Sequence, residues 1–72
     1  MVNVNKLKGK IVERGLSVTD LANMVGIDKA TFYRKLAQNG ETFSIREADL
    51  ICKKLELNPQ EATAIFFSDL VA

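Results

Sequence analysis

The sequence predicts an all-α fold: a compact domain of five short helices. Three observations predict it. Apolar residues recur three and four apart, and no segment alternates strictly as a strand would. Ser17, Asp28, Ser44 and Asn58 stand where apolar stripes begin, as helix N-caps do. Gly15, Gly26 and Asn39-Gly40 stand where stripes end. At 72 residues the chain is expected to be a single domain, residues 1–72. A chain of that size buries only about 60% of its unfolded surface.

Taken in order, Val4, Leu7 and Ile11 share one face and give a first helix from about Asn5 to Arg14, with Gly15 suited to the left-handed position beyond it. Gly9 inside that helix costs up to ~1 kcal/mol relative to alanine, for which close backbone packing is the simplest account. Ser17 opens the second helix, with Asp20 completing a weak variant of the capping box. Leu21, Ala22 and Val25 form its apolar face, Gly26 ends it and Ile27 plugs the turn. Asp28 caps the third helix, where its charge also meets the positive helix end. Phe32 and Leu36 bury that helix, and Asn39-Gly40 breaks it. Ser44 and Glu47 make a full capping box for a fourth helix, with Ala48, Ile51, Cys52 and Leu55 facing inward. Asn58, Pro59 and Glu61 supply the N-cap, the proline and the acid that open a fifth.

Composition excludes several classes. Apolar content of 47% is ordinary for a globular chain, and no apolar run approaches the roughly 18 residues of a membrane span. There is no histidine, and the single Cys52 can make no intrachain disulfide, which fits a reducing cytoplasm. No catalytic or metal-ligand spacing and no Gly-rich phosphate loop is present, so no enzyme, metal, cofactor or small-molecule ligand is expected. Net charge is +1 and pI about 7.9, low beside the pI above about 9 common in nucleic-acid-binding domains. The charge is bipolar: residues 1–40 carry seven Lys/Arg against three Asp/Glu, and residues 41–72 carry three against six.

The stretch from about 17 to 37 has the form of a helix-turn-helix, two helices joined by a short glycine turn. Ala22 is small where the third helix crosses, Gly26 takes a backbone angle costly to other residues, and Ile27 and Phe32 wedge the pair against the core. "SVTDLANMVGIDKATFYRKLAQNG" resembles the helix-turn-helix of the phage lambda-type repressor and Cro superfamily. "FSIREADLICKKLELNPQE" is similar to that family's fourth helix and the start of its fifth. Leu36, closing the third helix, falls one residue later than in many members.

The resemblance implies operator DNA as partner, often a homodimer, and a third helix whose outward face reads bases. Matched by motif, that face is Lys29, Ala30, Thr31, Tyr33 and Arg34. Lys29 and Arg34 can donate to guanine O6 and N7, Thr31 can hydrogen-bond, and Ala30 or the Thr31 methyl can meet a thymine methyl. Tyr33 suits either a phosphate or packing within the domain. Ser17 at the start of the second helix, and Gln38 and Asn39 after the third, are candidate phosphate contacts. Lys6, Lys8, Lys10 and Arg14 make the first helix basic, which fits a nucleic-acid backbone and an ordinary polar face equally.

The fifth helix points elsewhere. At 100° per residue, Ala62, Ile65 and Phe66 form an inward stripe, while Phe67, Leu70 and Val71 extend round a second side. An apolar sector that wide suits a partner, a second copy, or a chain end folded over it. Glu47, Asp49 and Glu61, with Glu41, Glu56 and Asp69, could meet the basic surface of a DNA-binding repressor. Small members of the superfamily in phage lysogeny switches are Cro-type operator binders or modulators of repression, antirepressors acting with or on the repressor. The length and weak basicity look like the second type, in the host bacterial cytoplasm; a stand-alone Cro-like repressor is the alternative. On stability, Phe32→Ala and Phe66→Ala are each expected to cost ~3–5 kcal/mol.

Overall fold

The computed structural model describes residues 1–70 and contains five helices: α1 Val4–Glu13, α2 Val18–Val25, α3 Lys29–Ala37, α4 Ile45–Lys54 and α5 Pro59–Phe66. No strand occurs among the described residues. Each helix starts at a side chain that satisfies backbone donors left free in the first turn. Asn3 Oδ1 accepts from the Lys6 N–H at 3.1 Å, which starts α1 one residue before the expected Asn5. Ser17 with Asp20, Ser44 with Glu47, and Asn58 with Glu61 each form a reciprocal capping box. The Asp20 box is therefore complete: its shorter carboxylate still reaches the Ser17 N–H at 2.9 Å.

α2 lies against both α3 and α4, while α1 packs on α2 and α5. Leu7, Ile11, Leu21, Ala22, Phe32, Ile51, Leu55 and Ile65 meet in the centre and are all but excluded from solvent. The Phe43 ring meets Phe32 edge-on at 5.3 Å between centroids. Ala48 and Cys52, expected inward, are half-buried at the edge of this core.

Two glycines behave differently from one another. Gly40 follows Asn39 in the left-handed region, and a Cβ there would stand 2.6 Å from the Val2 Cβ. Only glycine lets the N-terminal segment cross the α3–α4 turn so closely. At Gly9, by contrast, nothing lies within 4 Å of where a Cβ would stand. Close packing does not account for that glycine.

The expected continuation of the last helix needs correction. α5 ends at Phe66, and Phe67 is its C-cap, at φ −128° and ψ 42°. The Asn3 N–H donates to the Ile65 carbonyl at 2.7 Å and the Ser68 hydroxyl to the Met1 carbonyl at 2.6 Å. These bonds draw the chain off the helix axis and onto the N-terminal segment, so Phe67 and Leu70 are not successive positions on one helix face. Phe66 is half-buried, packed against the core rather than inside it. Val71, counted with that apolar side, lies outside the described residues. Among the described residues no helix is long and apolar enough to cross a membrane.

Candidate nucleic-acid interface

The geometry of α3 starts at its two ends. Gly26, at φ 75°, turns the chain out of α2, and Ile27 is buried immediately after it. Asp28 then accepts from the Ala30 and Thr31 N–H groups at 3.1 and 3.3 Å, aiming α3 outward. With Phe32 and Leu36 anchoring the inner face, Ala30, Arg34 and Gln38 fall on one outer stripe and Lys29 and Tyr33 on the next. Lys29, Ala30, Arg34 and Gln38 are exposed, and Tyr33 keeps 47% of its surface open. Thr31 is half-buried at the opposite edge of the helix.

The helix is asymmetric in charge. The Lys35 ammonium lies 3.3 Å from Glu47 Oε1, donates to the Thr42 carbonyl at 2.9 Å, and sits 5.9 Å from the centre of the Phe43 ring. It is a structural cation that ties α3 to α4. Lys29 and Arg34 enter no ion pair among the described residues. Beyond the helix, Gln38 accepts from the Thr42 hydroxyl at 2.9 Å, and Asn39 is exposed at φ 60°. Ser17 uses its hydroxyl oxygen to cap α2, accepting from the Asp20 N–H at 3.0 Å. Arg46, which sequence reasoning did not single out, is exposed and shares a concavity with Gly26 and Ile27. Its place two residues after the Ser44 cap was the available signal.

The acidic residues expected to meet a protein partner divide into two groups. Glu47 accepts from the Ser44 N–H and pairs with Lys35, and these contacts hold its carboxyl below the ordinary value. Glu61 pairs with Lys10 and caps Asn58, with the same effect on its carboxyl. Asp49 is exposed and pairs along its own helix with Lys53 at 2.9 Å. Phe67 and Leu70 keep 57% and 80% of their surface open, and Ile45 keeps 89%. Cys52 is half-buried, and burial chiefly, with the Asp49 charge, pushes its thiol up, away from a nucleophilic thiolate.

A five-helix domain that presents one helix with free cations beside a capped glycine turn is built as a DNA-binding module. The model of the Cro/C1-type HTH DNA-binding domain matches residues 6–65, and the chain belongs to that family. Membership makes this a DNA-binding domain of a regulatory, non-enzymatic family and supports operator DNA as a partner. No curated protein and no solved structure matches it.

Proposed function

We propose that this protein is a Cro-like transcriptional repressor that reads operator DNA through α3, two copies meeting two half-sites. The observation that carries this is the division of charge on that helix: Lys35 is neutralised by Glu47, while Lys29 and Arg34 stand on the outer face without an acid. In a major groove Arg34 and Lys29 donate to guanine edges, Ala30 and the Thr31 methyl meet thymine methyls, and the Thr31 hydroxyl bonds at the margin. Tyr33, Gln38, Asn39 and the Ser17 end of α2 take backbone phosphates and set the register. Fluorescence anisotropy on duplexes from the DNA flanking its own gene tests this. Arg34→Ala and Lys29→Ala are each expected to cost about 1–3 kcal/mol of specific binding. Unchanged isotherms for both variants would reject the assignment.

A second role, as a modulator of repression that binds a phage repressor and alters its operator occupancy, is favoured by one observation. Ile45, Phe67 and Leu70 are large, apolar and exposed, with the Asp49 carboxylate on the same helix as Ile45. Such a surface suits a protein whose basic face meets Asp49 and whose apolar side chains cover Phe67 and Leu70. Glu47 and Glu61 would contribute only the parts of their charge left over from Lys35 and Lys10. The same titration separates the roles when a neighbouring repressor is added. Tight binding alone marks the first, and altered repressor occupancy without binding alone marks the second. Phe67→Asp should remove the second effect and spare the first.

A further inference from the structure

We infer that Lys8 and the Asn5 carboxamide join Asn39 in one seat for a backbone phosphate of the DNA that α3 reads. The inference rests on the DNA-reading role proposed for α3.

The two edges of α1 differ. Leu7 and Ile11 point into the core, so Lys6 and Lys10, four apart, fall on one edge, and Asn5 and Lys8, three apart, toward the other. The Lys10 edge meets α5, where Glu61 and Glu13 neutralise it. The Lys8 edge meets the end of the recognition helix. There the Met1–Val4 segment, Asn5, Lys8, Leu36, Asn39 and Ser68 line one polar cleft, and no carboxylate is among them. Among the described residues no hydrogen bond or ion pair engages the Lys8, Asn5 or Asn39 side chains. Three unused polar groups, one cationic and two able to donate N–H, therefore converge beside the last turn of α3. A phosphodiester oxygen accepts from all three, and a strand held by α3 lies next to them.

The test is a salt series of anisotropy titrations on operator and scrambled duplexes, using wild type, Lys8→Gln, Lys8→Arg and Lys6→Gln. Lys8→Gln is expected to reduce the slope of log K against log salt by about 0.9, so that affinity falls roughly threefold less between about 50 and 200 mM salt. Affinity should drop alike on both duplexes, leaving the specificity ratio unchanged, and Lys8→Arg should restore it. Lys6→Gln, on the other edge, should keep the wild-type slope. If Lys8→Gln keeps that slope while Arg34→Ala weakens operator binding, the seat is overturned and the role of α3 stands. If neither variant changes binding, both fall. An equal loss in Lys6→Gln would reduce the effect to diffuse charge and also overturn the seat.

Discussion

The α2–α3 turn and the end of α5 each place an apolar residue just past a helix, and they finish differently. At the turn Gly26 reverses the chain, Ile27 is buried and Asp28 starts a new helix within two residues. At the end of α5 the half-buried Phe66 is followed by the exposed Phe67, with no further helix among the described residues. An apolar side chain is pressed inward at the turn because elements on both sides fix its direction. Beyond Phe66 the described chain is guided by local turns and by bonds to the Met1–Asn3 segment, and Phe67 and Leu70 stay at the surface. The turn positions α3; the α5 end leaves its apolar side chains open.

The sharpest way to break this comparison is at two phenylalanines. Phe32→Ala should cost ~3–5 kcal/mol in urea unfolding, a large share of the ~5–15 kcal/mol a small domain holds. Phe66→Ala, half-buried, should cost about 1–2 kcal/mol, less than the sequence alone led us to expect. Equal costs would erase the distinction. Acid should loosen the starts of α2, α4 and α5 through their caps. Asp20 and Glu47 are held low chiefly by the Ser17 and Ser44 N–H groups, and Glu61 chiefly by Lys10. A lowered carboxyl contributes stability that is complete above its unfolded value and is lost as pH falls through its folded value. The urea midpoint should thus be level from about pH 5 to 9 and fall below about 4.5. Lys10, raised by Glu61 and Glu13, adds the opposite limb, a loss as pH rises past 10.5. Gly9→Ala should stabilise by about 0.5–1 kcal/mol, read as a higher Tm, because the site is open and helical. Smallest of all, Phe67→Asp should move stability by no more than about 0.5 kcal/mol.

Helix starts were legible in the sequence because each is written locally: a cap and its acid stand three residues apart, as at Ser44 and Glu47. The fold class followed from that and from the apolar spacing, whereas the outward positions of α3 came from the family resemblance; of them Lys29, Ala30, Tyr33 and Arg34 are exposed and Thr31 is half-buried. What was hidden depends on segments far apart in the chain. Nothing near Phe67 announces that Met1 and Asn3 will pull the chain aside. Nor does the sequence around Lys10 and Lys35 disclose that Glu61 and Glu47, already caps, will also bind them. Arg14 is a third case, its guanidinium donating to the Leu55 and Glu56 carbonyls at 2.7 and 3.2 Å and so closing the end of α4. A basic first helix read as one surface is in the fold two edges and a clamp.

The anchoring of α3 by a single cation makes its outer face exchangeable. Lys35, Phe32 and Leu36 hold the helix to the scaffold, while Lys29, Ala30 and Arg34 are exposed and Tyr33 leaves about half its surface open. Transplanting those four side chains from a relative with a different target should retarget the domain without a new core. Transplanting position 35 with them would loosen the helix from its mount. A designer should therefore move the face and leave the tether.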